Sequence, residues 1–305
     1  TDDNGDATWT LHPAPDVAQP ASFTFFATVT DTDGVVASDD RPVEITDGQG
    51  PAGGGSMLLS LDEDDLGDGS QSAPKDALTA SDTLSFTAGS DAITSIVFST
   101  DLSGLTEDGD ALTGAGTITW VRDSGTQITG SVNGQTAVIL TLSVPATIAA
   151  GTTDATTQVT MTLSQEFQNT FGDDLQTSLN LGSVQVIASE ADVADFATGT
   201  VNLTVIDDVP AVDITGATMV AEDLAAGQTI GGAIAITEGA DQDATLAITL
   251  ASGDLSAPIL FTLGTVGSAQ SATVTAGGDV LGVLTVTTDD NGDATWTFDP
   301  APDVA

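Results

Sequence analysis

The sequence predicts an all-β chain of antiparallel β-sandwich domains in tandem, and three observations carry that prediction. Short stretches alternate polar and apolar residues and are rich in β-branched side chains: SFTFFATVT (22–30), TSIVFST (94–100), GTITWVR (116–122), AVILTLSV (137–144), TTQVTMTLS (156–164), GTVNLTVI (199–206) and ATLAITL (244–250). Gly, Asp, Asn or Pro breaks them roughly every eight to fifteen residues, which is the rhythm of short strands joined by turns. Helix has little support, with SQEFQNTFGDDLQTSL (164–179) offering one or two turns on a connection. Finally, the chain repeats itself: TDDNGDATWT occupies residues 1–10 and returns at 288–297, a tandem period of 287 residues. The match runs on from TLHPAPDVA (10–18) to TFDPAPDVA (297–305) with two differences.

Two segments read as domain ends. VEITDGQGP (43–51) and LTVIDDVP (203–210) each carry a strand into acidic residues and then Pro, which cannot continue a central strand. Cutting there leaves residues 1–50 as the C-terminal part of a split sandwich, 51–209 as a complete sandwich, and 210–305 as the N-terminal part of the next split one. The Gly triplet at 53–55 reads as linker. In VLGVLTVTTDDNGDATWTF (280–298) a two-residue Asn291-Gly292 turn would set Trp296 opposite Thr287. A three-residue loop sets it opposite Val286, with Phe298 opposite Leu284; this register joins apolar to apolar and is preferred. Residues 1–10 hold the turn and second strand of that hairpin without its first, so their edge is open to another strand, including one from another copy of the chain. Trp9, Trp120 and Trp296 all alternate with Thr, a pattern of core positions.

Charge narrows the function classes. Against 45 Asp and Glu stand only Lys75, Arg41 and Arg122, a net charge of −42. Phosphate-rich partners are repelled by such a surface, so nucleic acid is excluded as a partner, and cations are attracted. No run of about 18 apolar residues exists to insert in a membrane. With no Cys, a marginal domain needs a staple other than a disulfide. His12 is the single histidine and its repeat counterpart is Asp299, which argues against a Ser-His-Asp triad or an imidazole metal site. An enzyme is not expected.

General solubility in salt would scatter acids evenly, yet here they cluster at three kinds of place. The first is a turn between the last two strands, with Asp31 and Asp33 in DTDG and Glu190 and Asp192 in SEAD. The second is the domain exit, with Asp47 in one case and Asp207 and Asp208 in the other. The third follows each linker: Asp62, Glu63, Asp64 and Asp65 in LDEDDL, and Glu222 and Asp223 in AEDL. Carboxylates two apart on a tight turn can face one ion, and Ca2+ accepts six to eight oxygens in flexible geometry. Strand length places Asp31 and Asp47 at opposite poles of one domain. The expected shared site at the junction near residue 50 therefore joins Asp47 to Glu190 and Asp192, with Glu63 as a further ligand. The parallel site joins Asp207 and Asp208 to an Asp31/Asp33 turn that a second copy would supply. Asp289, Asn291 and Asp293 read as a plain hairpin turn, and Asp241 and Asp243 leave turn and cation site equally open.

The stretches LDEDDLGDGS (61–70), DTLSFTAGSDAITSIVF (82–98) and FATGTVNLTVIDDVP (196–210), with GDATWTFDPAPDVA (292–305) and ATVTDTDGVVAS (27–38), resemble the repeats of giant RTX-type adhesins exported by type I secretion. The resemblance is to β-sandwich repeats of roughly 143 residues, half the period found here. It extends to cadherin-like and other bacterial immunoglobulin-like repeats, and covers most of the chain through short motifs that are specific only in combination. It implies immunoglobulin-like domains in a Ca2+-stiffened extender, outside the cell, that contacts neighbouring repeats and carries a ligand-binding tip for adhesion and biofilm formation. The family's T-D-x-D-G turn falls on Thr30, Asp31, Asp33 and Gly34. In the complete domain it falls on Ser189, Glu190 and Asp192, with Val193 where Gly is expected. The Gly-rich nonapeptides of RTX C-termini are absent, which points to stalk. The rival expectation is a module that itself binds a carbohydrate or another surface ligand.

Overall fold

The structure is a computed structural model that describes residues 7–14, 21–67, 69–71, 74–105, 118–145, 147–167, 178–190, 195–218, 228–240, 245–263, 267–289 and 293–301. Asp192, Glu222, Asp223, Asp241, Asp243, the loop 290–292 and most of the candidate helical connection lie outside the described residues. Among the described residues the regular structure is β-strand throughout, apart from one 3-10 turn.

The chain begins with a hairpin of β1 (Ala21–Thr30) and β2 (Val36–Ile45), paired in unbroken antiparallel register from Ala21 opposite Ile45 to Thr30 opposite Val36. Directly paired residues share a face, so Ala21, Phe23, Phe25, Ala27 and Val29 line up with Ala37, Val43 and Ile45. Asp39 and Arg41 interrupt this apolar face. The other face is more polar, with Ser22, Thr24, Thr28 and Thr30 beside Ser38, Asp40 and Glu44, but it also carries Phe26, Val36 and Pro42. Such alternation is that of a ribbon with one face meant for a core, yet Phe23 and Val29 remain 41% and 72% exposed. Trp9 stacks edge-on against Phe25 at 4.9 Å and is itself 55% exposed, so it does not occupy the core position that its spacing suggests.

The middle unit contains β3 (Ala52–Asp62), β4 (Thr79–Thr87), β5 (Ile93–Phe98), β6 (Thr119–Ser124), β7 (Gln127–Val132), β8 (Gln135–Ser143), β9 (Ala155–Leu163), β10 (Ser178–Glu190) and β11 (Phe196–Ile206). One sheet runs β3–β4–β9–β8–β7–β6 and the other β5–β10–β11–β3. The strand they share is β3, which leaves one sheet for the other at its glycines. Ala52 to Gly54 pair antiparallel with β4, whereas Gly55 to Asp62 run parallel to Gly199 to Ile206 of β11. The Gly triplet is therefore a strand crossover rather than a linker. Gly53 and Gly54 take φ of 98° and 92°, and a Cβ on Gly54 would collide with the Thr198 carbonyl.

Inward alternation on both sheets builds one large core, which includes Leu59, Leu84, Phe86, Phe98, Met161, Leu163, Val201 and Leu203. Each such side chain contributes about 1.5–3 kcal/mol on burial, which stabilises this unit without a disulfide. Trp120 packs against the same core and lies flat across Gly130, its pair on β7.

The C-terminal unit contains β12 (Ala211–Ile214), β13 (Ile230–Thr237), β14 (Thr245–Ile248), β15 (Asp254–Leu255), β16 (Ile259–Thr262), β17 (Ala269–Ala276), β18 (Asp279–Thr288) and β19 (Ala294–Pro300). Its main sheet is ordered β12–β13–β19–β18–β17–β15, and β14 pairs with β16. The β18–β19 register sets Val286 opposite Trp296 and Leu284 opposite Phe298, the apolar pairing favoured by the sequence. Trp296 donates its indole N–H to the Thr215 carbonyl at 2.9 Å. The buried cluster here is small: Ile234, Ile259, Phe261, Ala272, Val286 and Ala294.

Both units start alike. Ala52 follows Pro51 and pairs with Thr87; Ala211 follows Pro210 and pairs with Thr237. Beyond that pair β4–β9–β8–β7 corresponds to β13–β19–β18–β17.

Candidate metal centre

The acids gather at the two ends of β11. At its C-terminal end, β3 arrives alongside and turns into the 3-10 segment Glu63–Asp65. Asp62 caps that turn by accepting the Asp64 N–H at 3.2 Å, a local use of Asp that also explains why the strand stops there. Glu63 is 1% exposed, and its Oε1 accepts the Phe167 N–H at 2.6 Å. Asp65, also buried, accepts from Asp76 N–H at 2.6 Å. From the exit side, buried Asp208 accepts both the Ser70 N–H at 2.6 Å and the Ser70 hydroxyl.

Electrostatics at this end are one-sided. The Asp64 carboxyl is pushed up to about 6, first by burial, then by the charges of Asp62, Asp65 and Asp208. Lys75 is nearby, but its ammonium group donates to the carbonyls of Leu66 and Gly69. Oxygen donors concentrated where negative charge is already crowded suit a hard divalent cation better than a transition metal.

At the other end of β11 the linker from β2 is clasped by the middle unit. Ser90 N–H donates to the Gln49 carbonyl at 2.7 Å, and Gly89 lies so close over that carbonyl that no side chain fits between. Gly50 presses against the Asp195 carboxylate. Asp47 is exposed and its Oδ1 accepts from Gly48 N–H at 2.7 Å. Buried Glu190 ends β10 opposite Ile93, and buried Asp91 precedes that strand by two residues. Asp91 and Asp195 were not singled out by spacing, although Asp91 sits in GSDA, which echoes GADQDA (239–244).

Glu63 does not join this group. The parallel ladder from Gly55 to Asp62 carries it to the far end of β11, roughly 30 Å from Glu190 at strand rise. The acidic turn after the linker thus meets the exit of its own domain, Asp208, rather than the junction near residue 50.

Asp31 and Asp33 lie on the exposed turn between β1 and β2, at the end of that hairpin away from Asp47. Asp31 Oδ1 accepts from Asp33 N–H at 3.0 Å and Val35 N–H at 2.8 Å, so it closes its own turn. In the β18–β19 hairpin, Asp293 N–H donates to Asp289 Oδ1 at 3.1 Å, while Asp293 Oδ1 accepts from Ile236 N–H at 2.8 Å. The Asp289 carboxylate thus serves the hairpin, while that of Asp293 ties the hairpin to β13. Among the described residues no three Asp, Glu or His side chains converge closely enough to hold an ion with the side chains as they stand.

The exit of the middle unit repeats the clasp. Gly239 lies over the Asp208 carbonyl as Gly89 lies over that of Gln49, and Ala240 is buried against the middle unit's core.

No known family model matches the chain, and no curated protein matches it. Among solved structures it is similar to a chain from a chaperone–tip adhesin complex described as vital for synergistic activation of CFA/I fimbriae biogenesis. The identity is 11% and the TM-score 0.23, over 82% of this chain and 92% of that one. Among the described residues no helix is long and apolar enough to cross a membrane.

Proposed function

We propose that the chain is a stretch of extender repeats from a bacterial cell-surface adhesin, built from immunoglobulin-like sandwiches and stiffened by calcium at the domain junctions. The observation that carries this reading is the recurrence of one junction. After β2 and after β11 an acidic linker ends in Pro, a new strand begins one residue later, and a Gly of the following unit closes over a linker carbonyl. A joint used twice in one chain, with a sequence that repeats at 287 residues, belongs to a spacer rather than to a single recognition site.

Oxygen donors crowded where charge is already negative support calcium over a transition metal. At the exit, Asp62, Asp64, Asp65, Asp207 and Asp208 would supply carboxylates. At the linker, Asp47 and Glu190 would do so, with Asp91 and Asp195 at the same end; the sequence expectation adds Asp192. Extracellular calcium modules have dissociation constants of about 10⁻⁴ to 10⁻³ M. Calcium at roughly ten to a hundred times that value would add about 1.4–2.7 kcal/mol per site and remove hinge freedom at the joint.

The test is thermal melting and small-angle X-ray scattering with calcium and with EDTA. A lower melting temperature and a shorter maximum dimension in EDTA are expected. Equal values in both conditions would overturn the calcium-stiffened extender.

A further inference from the structure

The middle unit and the C-terminal unit differ by two strands, and the chain holds those two strands elsewhere. In the middle unit the second sheet is β5–β10–β11–β3. In chain order β12 of the C-terminal unit corresponds to β3 and β14 to β5. Among the described residues β12 pairs only with β13, and β14 only with β16. The place between them, filled in the middle unit by β10 and β11, has no counterpart among the described residues of 210–301.

The hairpin β1–β2 matches that place. Its terminal pair Thr30 and Val36 corresponds to Ser189 and Phe196 beside the turn of β10–β11. Counting back from there, Phe25, Ala27 and Val29 fall on Val184, Val186 and Ala188, and Ala37, Val43 and Ile45 fall on Ala197, Leu203 and Val205. All six of the latter are buried in the middle unit. On that face Phe23 and Val29 stay exposed while Phe25, Val43 and Ile45 are half-buried; among the described residues the hairpin pairs with no other strand, and it is of a kind that is marginal alone. The C-terminal unit has the complementary shortage, with Val212 and Ile214 of β12 exposed at 59% and 62%. The repeat fixes the order as well: residues 288–297 equal 1–10, so in repeat register β1 and β2 follow β19.

We infer that the open side of the C-terminal unit takes the β1–β2 hairpin of a second copy of this chain. It enters between β14 and β12 and completes a nine-stranded order β14–β1–β2–β12–β13–β19–β18–β17–β15. The pairing is head to tail, each copy giving a hairpin at one end and receiving one at the other, so it propagates as an open line of molecules. The high negative charge opposes it, and added salt strengthens it.

Sedimentation velocity of the 305-residue chain over a range of concentrations, at low and physiological salt, tests this directly. Species growing with concentration are expected, larger at the higher salt. Val29→Asp, on the apolar face, should weaken association by at least about tenfold. Thr28→Asp, on the opposite face, should leave it unchanged. A covalent trap reads the same contact where association is weak, because the chain contains no Cys. Counting along the parallel ladder puts Ile214 beside Asp39 of the other copy. An oxidised mixture of Ile214→Cys and Asp39→Cys chains should therefore give a heterodimer, and a mixture with Phe26→Cys in place of the latter should not. A chain that stays monomeric and gives no heterodimer overturns the inference, as does association abolished by Thr28→Asp but not Val29→Asp. A hairpin that folds back onto its own C-terminal unit, seen as cross-linking within an Ile214→Cys, Asp39→Cys double variant at high dilution, also overturns it.

Discussion

Asp64 shows how the acidic exit is built and what its charge costs. Its carboxyl is raised from 3.8 to about 6 by burial and by Asp62, Asp65 and Asp208. A carboxyl raised in the folded state loses stability in its ionised form, so the cost applies above pH 6 and is relieved as pH falls through 6 toward 3.8. In EDTA the melting temperature should therefore rise as pH is lowered from about 7 to 5, over the window set by those two values. Asp64→Asn should raise the melting temperature at neutral pH in EDTA and flatten that profile; calorimetry across pH checks both. If calcium binds there, the same substitution should diminish the stabilisation that calcium gives. Sequence spacing found these acids because LDEDDL and IDDVP concentrate charge beside a strand end. It misplaced Glu63, because the pole that a turn reaches depends on where the preceding strand crosses and how long it runs. Asp195 was illegible for a plainer reason: its neighbour Gly50 is far away in sequence, and no local pattern links them.

The crossover in β3 is the element on which the middle unit depends. Gly54 needs both a positive φ and room beside the Thr198 carbonyl, whereas Gly55 needs only the positive φ. Gly55→Ala should therefore cost about 1 kcal/mol, the usual penalty for an L residue in that region, and Gly54→Ala at least twice as much. Denaturant unfolding of the two variants separates these outcomes, and equal losses would remove the collision from the argument. Strand identity was legible where alternation is clean, as in β8 and β9. The β18–β19 register was legible too, since only one of two registers joins Trp296 and Phe298 to apolar partners. The glycine triplet was not, because three glycines ordinarily break a strand. Their use becomes visible only once two sheets are seen to share β3.

For the whole molecule, the joints decide whether the units move together. Gly89 and Gly239 occupy the same place over successive linkers, and a side chain at either would push the linker carbonyl away. Gly89→Val should broaden the scattering-derived distance distribution at that joint while leaving the unfolding of the middle unit within about 1 kcal/mol of the parent. A distribution that does not change would show that the clasp does not set the angle. Pro51 and Pro210 were readable as stops, and β3 and β12 do begin immediately after them; the clasp was not readable, since it joins a linker to a loop about forty residues on. The parallel ladder between β3 and β11 has a mechanical consequence. The chain enters the middle unit at the start of β3 and leaves it at the end of β11, so tension along the molecule slides these strands past each other instead of peeling them apart. All of the pairs from Gly55–Gly199 to Asp62–Ile206 then share the load and must rupture together. A molecule stretched between two anchored ends would yield at its least sheared joint first, and the middle unit would be among the last parts to lengthen.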